Sequence, residues 1–337
     1  MTFIDNILKY RNVAVVGLEK NTGKTECLNY IISNIKDKNL NVAVTSIGID
    51  GETTDQVYGT NKPEITIYEN MIFVTSEKQY RLKRITSEIR DIFSRSTTAM
   101  GRLVIAKAKN RGKIILSGPP DTTNLKTLLD ELRIKHNCTL TLVDGALSRL
   151  SFGAPAITDA MILCTGAAVS INLNELIKKT NFVYRLINLP QTTESFRTRL
   201  SNMNTGIWAI DNDNDIHDLG ISSVFTLNKE GNDIFKYGHK IFVAGAVNNS
   251  MLTKMSAQNK YPETILYVKD FTRLFITPEA LQTFVKKGNK IVVMDKPNLI
   301  AITINPVAPS GYVINPEMLK DEMEKALNIP VFNIKNM

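Results

Sequence analysis

The sequence predicts an α/β protein with a mainly parallel sheet that carries helices on both faces, together with a smaller C-terminal α/β unit. Short apolar runs alternate with segments whose apolar residues recur at helical spacing, which is the pattern of strand–helix–strand crossovers. The first apolar run, residues 13–16, leads directly into a glycine-bounded loop and a helix. A length of 337 residues allows about two domains.

Most of the predicted sheet lies in the first 200 residues. The expected elements are strand 13–16, helix 24–36, strand 41–47, extended pieces 65–68 and 71–75, a mostly helical stretch 87–110, strand 113–117, helix 122–136, strands 139–143 and 160–164, helix 171–179 and strand 182–187. Ligands of such sheets bind at the carboxyl ends of the strands, so polar residues that directly follow strands are the site candidates.

The alternation loosens after about residue 200, where the polar turn 211–215 indicates a boundary. Beyond it we expect strands 240–244, 264–268, 290–294 and 299–303 and helices 250–257, 278–287 and 316–327. The predicted organisation is a first domain over residues 1–200, a connecting region over 201–239 and a smaller α/β domain over 240–337.

The loop after the first strand has the composition of a phosphate-binding loop. It reads Gly17-Leu18-Glu19-Lys20-Asn21-Thr22-Gly23-Lys24-Thr25 and opens a helix. Gly23 lets backbone N–H groups turn towards a phosphate, Lys24 can reach the terminal phosphates, and the Thr25 hydroxyl is placed to ligate Mg²⁺. The alternative is a strand-turn-helix with an accidental Gly-Lys-Thr, because Leu18 stands where the common pattern has its first glycine. The predicted nucleotide-binding residues of the first domain are Lys20, Asn21, Thr22, Gly23, Lys24, Thr25 and Glu26.

Two acids follow predicted strands and are candidates for the magnesium side of the site. Asp144 ends an apolar strand, and Asp50 follows the strand after the helix of the loop. A carboxylate there can hold Mg²⁺ directly or through water. We therefore predict Lys24, Asp50 and Asp144 as catalytic residues and Thr25, Asp50 and Asp144 as metal ligands. Turn and cap roles are the alternatives, because each acid precedes a glycine.

Recognition of the base is assigned to Asn188, which follows the predicted strand 182–187. Its side-chain amide can hydrogen-bond a purine edge, and a loop cap before Pro190 is an equal alternative. The guanine-reading pattern Asn-Lys-x-Asp does not follow a late strand of the sequence. ATP is therefore favoured over GTP.

Charge and cysteine usage narrow the class of protein. The net charge of +8 permits attraction to nucleic acid, but the basic residues are dispersed, so nucleic acid is not an expected partner. The three cysteines lie in separate apolar segments and are expected to be reduced core residues. Neither a membrane-spanning run nor a secretory signal is recognisable, which predicts a cytoplasmic protein. The oligomeric state is left open.

The run from Gly17 to Thr25, with five residues between its two glycines, resembles the phosphate loop of dethiobiotin synthetase and of related P-loop NTPases of the signal-recognition, MinD and BioD class. Asp50, Asn188 and the run Asp144-Gly145-Ala146 agree with that class. The resemblance covers roughly the first 200 residues of the chain. It implies a P-loop NTPase fold that binds ATP with Mg²⁺ and hydrolyses it.

A second resemblance concerns more of the chain. The phosphate loop, Leu116-Ser117-Gly118-Pro119 and Val143-Asp144-Gly145-Ala146 are together similar to the B subunits of the reactivases that accompany lysine 5,6-aminomutase. This resemblance implies an ATP-dependent factor of amino-acid fermentation. Its implied partners are a cobalamin- and pyridoxal-phosphate-dependent aminomutase and a MutS-related ATPase.

Two functions follow from these patterns. In the first, nucleotide contacts order loops that a protein partner senses, as in a switch or a chaperone-like ATPase. In the second, the chain is a dethiobiotin synthetase-like ligase or kinase whose substrate lies between loops 48–55 and 144–149, with Arg149 as the anchor.

Overall fold

The computed structural model describes residues 2–47, 64–98, 100–146, 157–226, 233–258 and 261–335. The chain divides into two compact units, one made of Met1–Asn181 and Pro297–Met337 and the other of Phe182–Lys296. The helices are α1 Phe3–Ile7, α2 Lys24–Ile35, α3 Glu77–Leu82, α4 Thr122–Ile134, α5 Leu173–Ile187, α6 Glu194–Ser201, α7 Asn249–Gln258, α8 Pro278–Lys286 and α9 Pro316–Leu327. The strands are β1 Asn12–Gly17, β2 Val42–Ser46, β3 Ile65–Ile67, β4 Ile72–Ser76, β5 Ser87–Thr98, β6 Gly101–Ala108, β7 Gly112–Ile114, β8 Leu140–Ala146, β9 Ala160–Gly166, β10 Ile207–Ile210, β11 Ile216–Ile221, β12 Lys240–Val243, β13 Val247–Asn248, β14 Ile265–Val268, β15 Leu274–Phe275, β16 Lys290–Val293, β17 Leu299–Asn305 and β18 Val331–Asn333.

A sheet of nine strands, counted over the described residues, forms the centre of the first unit. Its order is β18-β17-β9-β1-β8-β2-β4-β6-β5. The pairs from β18 to β4 are parallel, whereas β6 and β5 extend the sheet in antiparallel fashion. The predicted α/β class is therefore confirmed, with a sheet that is mostly parallel and mixed at one edge.

Helices cover both faces of this sheet, as β2 illustrates. Val42 and Val44 belong to the apolar core that contains Leu28 of α2. Ala43, between them, belongs to a separate core that contains Leu125 of α4. Because successive side chains of a strand point to opposite faces, these alternating residues place α2 and α4 on opposite sides of the sheet.

Residues 87–110, predicted to be mostly helical, form the hairpin of β5 and β6 instead. Gly101 begins β6 with φ +93°, a left-handed conformation that suits a tight turn. Val104 packs in the α2 core and Ile105 in the α4 core. The apolar run of β6, which pairs with β4 within the sheet, is thus buried on both faces by the two cores. Periodicity alone does not distinguish such a run from a buried helix.

Residues 182–187, predicted as a strand, are the last turns of α5. Leu176, Thr180 and Ile187 are fully buried, and their spacing of four and seven residues is that of one helical stripe. The run 182–187 is short and apolar like a strand, and its helical conformation follows from its continuity with the helix before it.

The domain boundaries also need correction, because the last strands return to the first unit. β17 pairs with β9, and β18 pairs with β17, so residues 297–337 complete the large sheet. The smaller unit is therefore an insertion over Phe182–Lys296 and not a C-terminal domain. A pairing between segments more than 130 residues apart leaves no local trace in the sequence, and about one third of strand neighbours are non-sequential.

The inserted unit has its own sheet of five described strands, in the order β11-β10-β12-β14-β16. β12, β14 and β16 are parallel, as expected for strands separated by helices. The turn 211–215 closes the β10–β11 hairpin, where the Asp211 N–H donates to the Asp215 carbonyl at 3.0 Å. The core of this unit contains Leu200, Ile210, Phe242, Ala244, Tyr267 and Met294.

Two expectations from composition can be compared with the structure. Cys27, Cys138 and Cys164 are free and buried, as predicted for core residues. Burial raises the pKa of the Cys138 thiol to about 12, which keeps it protonated at neutral pH. Over the described residues, no helix is both long enough and apolar enough to cross a membrane.

Candidate functional site

The loop between β1 and α2 lies at the carboxyl end of a central strand. β1 is flanked by β8 and β9, and the Leu18 N–H donates to the Cys164 carbonyl at 2.8 Å, which extends the pairing with β9 by one residue. The Thr22 hydroxyl donates to the Glu19 carbonyl at 2.9 Å, and Thr22 is fully buried. The loop is thus held by its own polar groups at the edge where parallel sheets bind ligands.

Gly17 and Gly23 are required by this geometry for different reasons. A Cβ on Gly17 would lie 2.6 Å from the Thr22 hydroxyl oxygen and 2.7 Å from Cδ of Lys24. Gly23 has φ +88°, and a Cβ there would lie 2.5 Å from Cδ1 of Ile334. Gly17 therefore leaves room for the lysine stem, and Gly23 turns the chain into the helix.

The first turn of α2 has no side-chain cap. Gly23 is its N-cap and makes no side-chain hydrogen bond, whereas Ser76, Asp121 and Thr277 cap α3, α4 and α8 through their side chains. The first N–H groups of a helix have no intrahelical acceptor, and they carry the positive end of the helix dipole. This end of α2 can therefore donate to an anion such as a phosphate.

Lys24 and Asp144 are brought together at the mouth of the loop. The Lys24 ammonium Nζ lies 3.7 Å from Oδ1 of Asp144, and the two side chains are 21% and 26% exposed. Asp144 lies in β8, in register with Val15 of β1 and Ser46 of β2. The predicted strand 139–143 is thus longer than expected and continues past the acid to Ala146. The pair is half-buried, which strengthens its attraction relative to a surface ion pair.

The C-terminal part of the chain, which returns to the large sheet, contacts the loop between β1 and α2 in a way that the sequence does not predict. Asn305, the last residue of β17, donates its side-chain amide to the Asn21 carbonyl at 3.3 Å. Asn21 has φ +61°, a left-handed conformation that asparagine tolerates. Ile334 covers Gly23, and the Lys335 ammonium lies 3.4 Å from the Glu26 carboxylate. The only sequence signal was the position of Asn305 at the end of an apolar run, where the strand-end rule looks for ligand-binding residues.

The remaining predicted residues have different surroundings. Thr25 is half-buried in the first turn of α2, while Lys20 and Glu26 are exposed. Asp50 and Arg149 lie outside the described residues. Asn188 follows α5 and belongs to the inserted unit, where its amide donates to the Tyr184 carbonyl at 3.0 Å.

The structure does not place Asn188 at the end of a strand. It was a candidate base reader because it followed a predicted strand, and that segment is helical. Its side-chain amide bonds back to a carbonyl of the last helical turn, which is the alternative role of a loop cap.

Cys27 lies in the first turn of α2, beneath the loop. A hydrogen bond with the Cys164 thiol, followed by burial, raises its pKa well above the usual value. Because the thiolate is the reactive form, this environment suppresses nucleophilic chemistry at Cys27. A buried and protonated Cys27 agrees with the packing role that the sequence predicts.

The site as described combines an uncapped helix start, one lysine and one carboxylate. Within the described ranges, no group of three or more His, Cys, Asp or Glu side chains gathers as a metal site would require. Mg²⁺ is commonly held by one or two protein oxygens, with phosphates and waters as the other ligands. The Thr25 hydroxyl and the Asp144 carboxylate are the candidate protein oxygens.

Comparison of the chain with protein-family models, with curated proteins and with solved structures finds no match.

Proposed function

We propose that the chain binds ATP with Mg²⁺ at the loop between β1 and α2 and acts as a nucleotide-dependent switch or chaperone-like reactivating factor. The observation that carries the proposal is the path of Lys24. Its stem crosses Gly17 at the mouth of the loop, and its ammonium lies 3.7 Å from Asp144. A lysine beside an uncapped helix start suits a polyphosphate, because both supply positive charge to one point.

The residues have separate tasks in this proposal. The N–H groups at the start of α2 hold the phosphate oxygens, and Lys24 neutralises the terminal phosphates. Thr25 and Asp144 hold Mg²⁺, which supplies charge neutralisation on the phosphates when it is bound. Before nucleotide binds, the ion pair with Asp144 keeps the lysine half-buried and close to the loop.

The proposed partner comes from the resemblance to the reactivase B subunits. That resemblance supports a cytoplasmic factor that restores an inactivated cobalamin- and pyridoxal-phosphate-dependent aminomutase together with a MutS-related ATPase. In a switch of this kind, the nucleotide orders a segment that the partner contacts. Hydrolysis is expected to be slow until the partner is present.

Calorimetric titration with ATP and with GTP, each with Mg²⁺, tests the nucleotide site. Lys24→Ala removes a charge-assisted contact of about 1.5–3 kcal/mol, so we expect the affinity for ATP to fall roughly 10- to 100-fold. Lys9→Ala is the matched control, because Lys9 is exposed and precedes β1, at the opposite end of that strand from the loop. Equal affinities for ATP in the wild type and Lys24→Ala would contradict the site.

The switch function is tested by ATP turnover. We expect the aminomutase to stimulate turnover and Lys24→Ala to abolish ATP-dependent recovery of the inactivated enzyme. Recovery that is independent of ATP would eliminate the reactivating role. ADP release that requires one small-molecule acceptor, with no response to the aminomutase, would favour the ligase or kinase instead.

A further inference from the structure

The excess positive charge of the protein is concentrated in one segment. Lysines and arginines are spread along the sequence, but residues 77–113 contain eleven of them and only three acids. The resulting net charge of +8 equals that of the whole chain, so cations and acids balance over the remaining residues. The segment runs from α3 through the β5–β6 hairpin to β7 and belongs to the first unit.

The fold brings the two basic runs of this segment, 81–84 and 107–113, to one place. The Thr86 N–H donates to the Asn110 side chain, and the Lys109 N–H donates to the Thr86 carbonyl, each at 2.9 Å. These bonds join the end of α3 to the end of β6. The exposed cations of the basic surface formed in this way are Lys78, Arg81, Arg84, Lys109, Arg111 and Lys113.

The acids of the segment already have partners. Glu77 pairs with Arg102 at 2.7 Å, and Glu88 pairs with Lys109 at 2.6 Å. Asp91 lies 3.8 Å from the lysine that directly follows α4. Within the part of the chain that the structure describes, the other five exposed cations of the basic surface form no ion pair.

An open recess of about 350 Å³ lies within the basic surface. Its walls include Lys78, Arg81 and Leu82 of α3 and Met100 and Gly101 of the β5–β6 turn. Residues three positions apart are neighbours on a helix, so Lys78 and Arg81 stand on the same side of α3. Leu82 is 61% exposed. The recess therefore combines two cations with an apolar wall.

The tyrosines beside these cations are not free to stack on nucleic-acid bases. Tyr68 and Tyr80 are half-buried and pack against the α2 core. The Lys83 ammonium lies 3.7 Å from the centre of the Tyr80 ring, and the guanidinium carbon of Arg111 lies 5.3 Å from that of Tyr68. Surfaces that bind single-stranded nucleic acid combine cations with aromatic rings on which bases stack. Cations around an apolar recess suit a protein partner better.

We propose that the basic surface docks an acidic face of a protein partner. Carboxylates of the partner pair with Arg81, Arg84 and Arg111, and an apolar side chain enters the recess beside Leu82. A guanidinium pairs with a carboxylate through two parallel N–H donors, and arginine is enriched in protein interfaces. The inference rests on the proposed function only in that this surface would serve the partner of the switch, and it does not involve the loop between β1 and α2.

Polyglutamate is the probe for this surface, and an oligothymidylate of the same total charge is the probe for nucleic acid. Calorimetric titration of the full-length protein at low salt measures both affinities. We expect saturable binding of polyglutamate, tighter than that of oligothymidylate, which weakens as chloride screens the charges.

Charge reversal at two exposed positions tests the location of the site. Arg81→Glu combined with Arg84→Glu should weaken the binding of polyglutamate at least about 10-fold, because each reversal removes an attraction and adds a repulsion. Both side chains are exposed, so the variant should fold normally. Its thermal melting checks this.

Lys178→Glu combined with Lys325→Glu is the matched control. It makes the same change in net charge at a second open recess of the first unit, of about 480 Å³. Lys178 lies 3.5 Å from Glu175, and Lys325 lies 3.9 Å from Glu322, so acids already balance these cations. We expect the affinity for polyglutamate to stay within about 2-fold of the wild type.

Three results would overturn the proposal. The first is the absence of saturable polyglutamate binding to the wild type. The second is equal weakening in the two double variants, which would reduce the effect to net charge. The third is oligothymidylate binding that is tighter than polyglutamate binding and is lost with Arg81 and Arg84, which would make this a nucleic-acid surface.

Lys24→Ala separates this inference from the nucleotide site. We expect this variant to bind polyglutamate as the wild type does and to lose affinity for ATP. A wild type that binds polyglutamate but not ATP would contradict the nucleotide site alone. A wild type that binds ATP but not polyglutamate would contradict the docking surface alone.

Discussion

At the scale of single residues, Gly23 shows how one position can join two parts of the chain. Its φ of +88° begins α2, and its missing Cβ leaves room for Ile334, which lies more than 300 positions later in the sequence. The same residue is thus fixed by backbone conformation and by packing. The sequence predicted the first reason from the motif and contained no indication of the second.

Gly23→Ala is expected to destabilise the first unit through both effects. A left-handed alanine costs about 1–2 kcal/mol, and overpacking against Ile334 adds about 1–3 kcal/mol. Gly311→Ala is the matched control, because Gly311 has φ +86° and a Cβ there would meet no atom within 4 Å. Calorimetric melting of both variants should show the larger loss for Gly23→Ala. Equal losses would mean that Ile334 moves away at no cost.

At the scale of elements, the sequence predicted β1, α2, β2, α4 and β9 and, in the inserted unit, β12, β14, β16, α7 and α8, because each has a clear period or cap. It did not predict α6, β10 or β11. It failed where a tertiary contact decides the conformation. β6 is apolar at consecutive positions and becomes a strand through pairing with β4. The last turns of α5 are apolar and β-branched and remain helical because Thr180 and Ile187 continue a buried stripe.

The same distinction applies to the candidate site. The loop, Lys24 and Asp144 could be predicted because a short motif and a strand end carry them. Asn305 could not, because its contact with Asn21 depends on β17 returning to the sheet beside β9. Asn188 was chosen because it follows residues 182–187, and that segment is helical and not a strand.

Asp121 allows a quantitative test of an element boundary. Its carboxylate accepts a hydrogen bond from the Asn124 N–H at 2.8 Å and caps α4. Asp121→Ala should lower the free energy of unfolding by about 1 kcal/mol, and Asp121→Asn by much less. Asp130→Ala, on the same helix, is the control for loss of charge. Urea denaturation, followed by circular dichroism, measures the free energy of unfolding of the three variants. Equal free energies for Asp121→Ala and the wild type would show that solvent replaces the cap.

At the scale of the whole molecule, the insertion of Phe182–Lys296 means that the first unit is assembled from two distant parts of the chain. The second part supplies β17 and β18, which cover one edge of β9. Every residue of β9 is buried, so this edge is part of the core and not a surface strand. The loop between β1 and α2 also depends on this second part, through Asn305 and Ile334.

This assembly predicts which fragments fold. A fragment of residues 1–200, the first domain expected from the sequence, lacks β17 and β18 and bares the backbone and apolar side chains of β9. We expect it to aggregate or to melt without cooperativity, because an uncovered apolar strand edge is a template for association.

A second protein, in which residues 1–188 are joined to 297–337 by a flexible linker of about 10 residues, should melt cooperatively and bind ATP. A linker of this length spans roughly 15–20 Å on average. Thermal melting and calorimetry on both proteins decide whether the first unit ends near residue 200 or includes residues 297–337. A 1–200 fragment that melts cooperatively and binds ATP would show that β17 and β18 are dispensable.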